Sequence, residues 1–413
     1  MHCCGGFVKR TLVPVPLREP RFRRLWFGSI TIAFSEWLER LALGWLVLEL
    51  TNSIFLSTLA FAVRNMPSMF LGLFSGAVAD LFTRQRLIGF MAGLRAATML
   101  SIGGLALGDG SVTWVILVLA AVGGATRTVE VPATQALISD IFGREGTPRA
   151  IGVHGFGVRM ISLLGALAAG LSIQVMGSAS PFFLGAMFLL LGAALVWGIP
   201  ALRPPKPPGS GLWRETIDGV RIMRKTPVVM AVLMLAFMTE IFGFSYNALL
   251  PGFADRSMNV GPAGLGTLTF ASGIGALLGM AIVASYGFRM VALRTVLVVM
   301  ICFGCLLVGL ASMRSLPIAL LLLVGIGTAT ALLDAIGWAL LQRHVPDEMR
   351  GRVLGAWIWA ISFGWMGAVI LGAVGEIAGV DVALRAGGVV VCLVAAIGAF
   401  WVRRIAFHTG GAT

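Results

Sequence analysis

The sequence predicts an all-α membrane protein with twelve transmembrane helices arranged as two six-helix pseudo-repeats. Three observations indicate this class: a low charged fraction, a succession of long apolar runs, and basic residues concentrated in alternate loops. Of the 413 residues, 58% are hydrophobic and 12% are charged, whereas a soluble domain carries about 25% charged residues. Because the depletion extends over the whole chain, lipid must solvate most of it.

Each apolar run is long enough to cross a ~30 Å hydrocarbon core as a helix, which takes about 20 residues. The runs follow one another with short polar interruptions, and the weakest border is the one between helices 8 and 9, from Ser285 to Arg294. The predicted helices span residues 24–50, 54–79, 86–107, 112–135, 149–175, 180–200, 227–252, 261–286, 290–312, 316–341, 351–376 and 382–402.

The basic residues are distributed unevenly between the two sets of loops. The net charge is +13, from 31 Lys and Arg against 18 Asp and Glu. The N-terminus, the even-to-odd loops and the C-terminus hold 23 of the 31, whereas the opposite loops hold only Arg256, Arg314 and Arg385. This is the positive-inside pattern. It predicts a multi-pass protein of the bacterial inner membrane with cytoplasmic termini, and it explains the charge without a nucleic-acid partner.

The five cysteines indicate neither a disulfide framework nor a metal site. Cys302, Cys305 and Cys392 lie in predicted helices, and the C-x-x-C spacing of the first two is not accompanied by further ligands. The first 24 residues are basic and lack the short apolar core of a cleavable signal peptide. The first helix is therefore expected to stay in the membrane as an anchor.

One break in composition divides the chain into two halves. The segment ALRPPKPPGSG, from Ala201 to Gly211, contains four prolines and predicts an extended linker. The next segment, Leu212 to Lys225, has apolar residues near helical spacing with basic neighbours, which is typical of an amphipathic interfacial helix. The predicted segments are a cytoplasmic N-terminus (1–23), a first six-helix bundle (24–200), a cytoplasmic linker (201–225), a second six-helix bundle (226–402) and a cytoplasmic tail (403–413).

The two halves repeat weakly in sequence. The loop after helix 4 overlays the loop after helix 10 without a gap at an offset of 203, which aligns Glu145 with Glu348 and Arg149 with Arg352. Parallel six-helix repeats joined by a cytoplasmic linker are typical of transporters whose binding site lies at the midplane between the halves.

The loop after helix 2 carries a motif that resembles a known family. In GAVADLFTRQRL, Gly76, Asp80 and Arg84 match the Gly, Asp and Arg positions of the cytoplasmic gate motif of the major facilitator superfamily. Leu81 and Thr83 stand where that motif usually has a basic residue and a glycine. The stretches VPDEMRGRVLG and LWRETIDGVRIMRKTP resemble the enterobactin-exporter-like branch, which includes siderophore and macrolide exporters. The resemblance covers nearly the whole chain.

This resemblance implies a secondary transporter that works by alternating access, with a central cavity lined by helices 1, 4, 7 and 10. The glycine-proline motif that many antiporters of the superfamily carry on helix 5 is absent, with only Gly165 and Gly170 nearby, so the direction of transport stays open. The expected cytoplasmic gate comprises Gly76, Asp80, Arg84, Arg86, Glu145, Arg149, Glu348 and Arg352.

Charged residues also occur where lipid would exclude them. Glu36 lies about 18 Å along helix 1 from Arg24 at ~1.5 Å per residue, and a charge near the bilayer centre costs roughly 2.5–3.5 kcal/mol. Glu36, Glu39 and Arg40 share one helix face because they are three and four residues apart. Either the triplet faces a water-accessible cavity, or Glu36 and Arg40 form a structural ion pair with each other.

The other deep charges favour the cavity. Every deep acid falls on helix 1, 4, 7 or 10, and Glu36 and Glu130 each precede an acid of the second half by 204 positions. Trp338 lies one turn from Asp334 and could contact a ligand, with helix packing as the alternative. A further deep arginine, Arg95, lies on helix 3. The predicted central cavity and coupling residues are Glu36, Glu39, Arg40, Arg64, Arg127, Glu130, Arg159, Glu240, Asp334 and Trp338.

Together these features predict a monomeric, proton-coupled exporter of a small amphipathic molecule. Nothing indicates an enzyme, and the absence of a P-loop makes the proton gradient the expected energy source, with no cofactor and no metal. Within the same class, the alternative is an importer or facilitator of a lipid, siderophore or metabolite. A non-transporting membrane sensor or scaffold would need a larger soluble part than the 201–225 connection.

Overall fold

The computed structural model describes residues 15–108, 113–200, 227–345 and 357–408, and these residues form helices and turns without a strand. The long helical elements are numbered in chain order. They are α1 (Pro20–Thr51), α2 (Ile54–Asn65, continued by Pro67–Leu81), α3 (Arg84–Ala106), α4 (Thr113–Gly143), α5 (Glu145–Met176), α6 (Ser180–Trp197), α7 (Val228–Ser257), α8 (Gly261–Tyr286), α9 (Leu293–Ser312), α10 (Leu316–His344), α11 (Trp357–Ala378) and α12 (Val380–His408).

Eleven helices of the described residues, located in α2 to α12, are long and apolar enough to cross a membrane. The predicted class, a multi-pass all-α membrane protein, is therefore confirmed. The remaining element, α1, has 32 residues, but Glu36, Glu39 and Arg40 lie at its centre and reduce its apolar character. The count of twelve transmembrane helices and the internal pseudo-repeat stay predictions.

The helix borders mostly fall within a few residues of the predicted ones, and the differences have local causes. The fourth helix continues past its predicted end at residue 135 to Gly143, where a φ of 65° turns the chain directly into α5. The seventh helix contains two π-helical turns, Glu240–Phe244 and Phe253–Ser257, which carry it past its predicted end at residue 252. The predicted amphipathic helix at 212–225 lies outside the described residues.

The first half (α1 to α6) and the second half (α7 to α12) contact each other at one end of the molecule. We call the end at which α1 begins, with its arginines in 21–24, the basic end. At the opposite end, the backbone N–H of Phe55 donates a hydrogen bond to Glu376 Oε2 of α11 at 2.9 Å. Arg256 of α7 donates to the carbonyl oxygen of Asn52 at 2.9 Å.

Close backbone packing of α5 against α8 completes the contact at the opposite end. A Cβ atom added to Gly170 would lie 2.9 Å from Gly266 Cα and 2.5 Å from the Pro262 carbonyl oxygen. Small residues at membrane helix interfaces permit such close approach of two backbones. The halves are therefore held together at this end by both backbone packing and polar contacts.

At the basic end, the polar contacts described here join helices of the same half. Arg24 donates to the carbonyl oxygen of Gly198 at 2.7 Å, and Trp26 donates to that of Val153 at 3.1 Å. These contacts tie α1 to α6 and α5 within the first half. Among the described residues, the polar contacts between the halves thus lie at the opposite end, and those at the basic end lie within one half.

We predict that Gly170→Val will loosen the contact between α5 and α8, because the valine side chain needs the space that the α8 backbone fills. The measurement is thiol labelling of Ile54→Cys, in a background without native cysteines, by a reagent that cannot cross the membrane. Ile54 is buried between the halves beside Gly252 and Gly375, so its labelling should accelerate.

The matched control is Gly93→Val on α3, where an added Cβ would meet nothing within 4 Å. This variant should leave the labelling of Ile54→Cys unchanged. Parental labelling in folded Gly170→Val protein would contradict the role of this contact in holding the opposite end closed.

Candidate functional site

A buried ion-pair network joins α1, α2 and α3. Arg95 donates to Glu39 Oε2 from Nε at 2.9 Å and from Nη2 at 2.6 Å, and the side chains of both residues are 1% exposed. Arg64 Nε donates to Glu39 Oε1 at 3.4 Å. Glu39 therefore lies inside the first half rather than facing the space between the halves. Removing one partner of a buried pair costs about 3–5 kcal/mol, because the other charge is left uncompensated.

Glu36 belongs to a second, more accessible group. Arg127 Nε lies 2.5 Å from Glu36 Oε1, and Arg64 Nη2 lies 3.7 Å from the same oxygen. The side chain of Arg127 is 41% exposed, so this pair meets the space between the halves. Glu130, one turn along α4 from Arg127, is buried, and its Oε2 has no hydrogen-bond partner among the described residues.

Arg40 joins neither group. Its Cζ atom lies 4.9 Å from the centroid of the Trp37 ring and 5.2 Å from that of Phe61, distances at which a guanidinium is attracted to an aromatic face. No carboxylate oxygen of a described residue lies within 4.0 Å of its nitrogen atoms. The ion pair between Glu36 and Arg40, which the sequence left open, is not formed in this structure.

The second half places two acids in one pocket. Glu240 begins the first π-helical turn of α7, and it lines a pocket together with Asp334 of α10, Phe244 and Trp357. Neither carboxylate forms a hydrogen bond or an ion pair with any residue that the structure describes. π-Helical turns within α-helices occur frequently at functional sites. The turn at Glu240 widens α7 at the position of one of these two acids.

Two arginines of the first half, Arg40 and Arg159, likewise form no ion pair with any residue that the structure describes. Arg159 and Asp334 are exposed, whereas Trp338 is half-buried and packs against the core. Charged groups without an ion-pair partner among the described residues are therefore present in both halves.

The residues expected at the gate begin with Arg84, whose contacts in this structure include α4 of the same half. Its Nη1 donates to the carbonyl oxygen of Ala136 at 3.0 Å and forms an ion pair with Asp140. Gly76 and Asp80 lie in the second part of α2, which ends at Leu81 immediately before this contact. The start of α3, just after the loop that follows α2, is thus joined to α4 of the same half.

The other gate candidates are either exposed or outside the described residues. Arg86, Glu145 and Arg149 are exposed at the basic end. Glu348 and Arg352 lie outside the described residues. The expected gate therefore stays a prediction, because its second-half members are not described.

Two contributors to the site were not predicted. Phe61 of α2 lies against Arg40, and Trp357 of α11 lines the pocket of Glu240 and Asp334. An aromatic residue within an apolar helix carries no signal that separates a cavity position from a lipid-facing one. The charged neighbours could be found from sequence, whereas these two needed the packed structure.

A multi-pass helical chain of two halves, joined at one end by polar contacts and backbone packing and carrying charged residues within its helices, has the form of a membrane transporter. Comparison with known proteins agrees with this class. The profile of the transmembrane secretion effector family matches residues 12–406. The chain belongs to this family, which is part of the major facilitator superfamily, as the sequence motifs predicted.

Two of the similar proteins are described as exporters. The chain is 25% identical over 370 residues to the multidrug efflux pump Tap of Mycolicibacterium fortuitum, covering 86% of this chain and 88% of that protein. It is also 25% identical over 362 residues to the enterobactin exporter EntS of Shigella boydii serotype 4 (strain Sb227), covering 86% of each. Membership of an exporter-containing group of transporters is therefore supported over most of the chain.

Solved structures show the same fold. The nucleoside transporter NupG matches with a TM-score of 0.77 at 12% identity, covering 92% of this chain and 98% of that one. A peptide transporter POT in complex with sulfate matches with a TM-score of 0.73 at 14% identity, covering 96% of each chain. At these identities the likeness concerns the fold alone.

We predict that Arg95→Met will destabilise the first half by about 3–5 kcal/mol, because the Glu39 carboxylate loses its hydrogen-bonded partner in a buried place. The measurement is the thermal unfolding midpoint and the yield of folded monomer in detergent. Adding Glu39→Gln should recover part of the loss, since it removes the uncompensated charge. If Arg95→Met alone is as stable as the parent, the pair does not hold the helices together.

Proposed function

We propose that the protein is a secondary active exporter that moves a small amphipathic molecule out of a bacterial cytoplasm in exchange for protons. The observation that carries this proposal is that acids and arginines without ion-pair partners among the described residues lie within the helices of both halves: Glu240 and Asp334 in the second, Arg40 and Arg159 in the first. The exporting activity of the two relatives supports the outward direction. The basic end is proposed to be cytoplasmic, in the inner membrane, with the protein acting as a monomer.

Glu240 and Asp334 are the proposed proton carriers. A carboxylate without a guanidinium partner can gain and lose a proton as the cavity alternates between the two sides of the membrane. Glu36, which the sequence placed in the same role with Asp334, is held by Arg127 and Arg64. Its protonation would first have to break those ion pairs, so the structure favours Glu240 in its place.

Alternating access follows from the contacts between the halves. The substrate would enter from the basic end, and the hydrogen bonds made by Glu376 and Arg256 at the opposite end would then have to break. On the cytoplasmic side, the loop of Asp80 and Arg84 would latch onto the second half. Such a latch shifts the populations of the two states only by the difference in its contact energy between them.

The transport experiment uses inverted membrane vesicles and a panel of fluorescent amphipathic dyes, with and without an imposed pH gradient. The parent should accumulate at least one dye only when the gradient is present. Asp334→Asn and Glu240→Gln should each lose gradient-driven accumulation by about tenfold or more, as expected for an essential proton-transferring group, while dye exchange without a gradient persists.

The matched control is Glu19→Gln, which removes an acid just before α1 and should accumulate dye as the parent does. If both cavity variants still concentrate dye like the parent, the coupling role of the two acids is wrong. Gradient-dependent accumulation by right-side-out vesicles instead of inverted ones would favour the importer.

A separate prediction concerns the latch. Asp80→Asn should weaken the state that is closed at the basic end, so the population that is open there should increase. Labelling of Ile54→Cys from the outer side should then slow relative to the parent, and transport should slow with it. Faster outer labelling in Asp80→Asn, with the folded yield unchanged, would show that Asp80 does not stabilise the closed basic end.

A further inference from the structure

A pocket between the halves is lined by Arg40 and by Arg64, a member of the Glu36 group. Its cavity volume is about 30 Å³, room for about two water molecules, so a larger ligand requires its walls to move apart. Helices α1, α2, α7 and α8 form its walls. The residues that matter here are Trp37, Arg40, Phe61 and Arg64 from the first half and Asn247 and Thr269 from the second.

The charges around this pocket do not balance within the first half. Four deep arginines lie on α1 to α4 with three deep acids: Arg40, Arg64, Arg95 and Arg127 with Glu36, Glu39 and Glu130. The ion pairs described above use Glu39 for Arg95 and Arg64, and Glu36 for Arg127 and Arg64. Arg40 is the arginine of this group that is left without a carboxylate.

A second cationic atom lies in the same wall. Arg64 is 4% exposed, and its Nη2 has no hydrogen-bond partner among the described residues. This atom is 3.7 Å from Glu36 Oε1. At that distance the two groups form an ion pair but not a hydrogen bond. The pocket therefore presents one unpaired guanidinium and a second with an unused donor.

The stacking of Arg40 orients its guanidinium before any ligand arrives. Its position against the rings of Trp37 and Phe61 restricts the side chain, so less rotamer freedom is lost when a ligand binds. A guanidinium presents donors in a fixed fork that matches a carboxylate or a similar oxyanion. The remaining walls include Leu41 and Leu265, which suit an apolar body next to the anionic group.

We propose that this pocket binds an organic anion, an oxyanion such as a carboxylate or sulfonate carried on a flat apolar body, with Arg40 as the residue that recognises the charge. The inference rests on the proposed transport function, because it names the class of substrate for the same cavity. Arg64 strengthens the positive potential from the wall, and Asn247 offers an amide from the second half.

The competing explanation is that Arg40 serves only to balance the negative charge of Glu240 in the second half. The two explanations differ in the effect that removal of the Glu240 charge should have on anion binding. If Arg40 recognises an anion, removing the negative charge of Glu240 should strengthen anion binding, because a nearby carboxylate repels it. If Arg40 only balances Glu240, the two substitutions should destabilise the protein alike and change no ligand preference.

The test measures binding to purified full-length protein in detergent, by titration calorimetry and by the shift of the unfolding midpoint. The probes share one ring system and differ in charge: 1-naphthoate, 1-naphthamide and 1-naphthylmethylammonium. Naphthoate should bind the parent with a Kd about tenfold or more below that of naphthamide, and the ammonium should bind weakest. Arg40→Gln should bring naphthoate to the level of naphthamide, Arg40→Lys should retain part of the preference, and Glu240→Gln should lower the Kd for naphthoate.

The control variant is Arg21→Gln, an exposed arginine at the basic end, which should bind all three probes as the parent does. The proposal is overturned if Arg40→Gln keeps the preference for naphthoate, if the ammonium binds best, or if no probe binds at millimolar concentration. Because no gradient or vesicle is used, these outcomes are independent of the transport experiment. Export of neutral or cationic dyes with no anion preference would leave the transport function standing and remove this inference.

Discussion

The hydrogen-bonded pair of Arg95 and Glu39 is the interaction on which the rest of the first half depends. A guanidinium and a carboxylate in hydrocarbon must meet each other or water, and here both are fully enclosed by protein. Their contact therefore fixes α1 against α3, and the bond from Arg64 adds α2. Because Glu39 is used in this way, the positive charge of Arg40 is left for the space between the halves.

The cavity that results is asymmetric in charge. The first half carries the arginines Arg40 and Arg159, and the second half carries Glu240 and Asp334, all without an ion-pair partner among the described residues. Attraction across the space favours bringing the halves together, while their contacts at the opposite end, through Glu376 and the packing of Gly170, already hold one side closed. A ligand or a proton that changes the charge of either wall alters this balance, which is the physical basis proposed for coupling binding to alternation.

The helices and the charged positions within them were predictable from the sequence, because long apolar runs and the charges inside them are local signals. The apolar runs predicted the helices of the described residues, and Arg127 was among the predicted cavity residues. Which charges pair could not be predicted, because helix rotation and tilt decide it. Glu36 and Arg40 have the spacing of a helical ion pair, yet Glu36 contacts Arg127 while Arg40 stacks on Trp37. The π-helical turn at Glu240 also depends on tertiary packing that no periodicity records.

Alternation of the cavity is tested most directly by distances between spin labels on the two halves. One label pair, at Met176 and Ile377, reports the opposite end, and a second, at Ser139 and Tyr286, reports the basic end; all four positions are exposed. The distances are measured in lipid nanodiscs at several pH values and ligand concentrations. Each label pair should show a short-distance and a long-distance population. When the short-distance fraction rises at one end, the short-distance fraction at the other end should fall. A single unchanging distance at both ends under every condition would contradict alternating access.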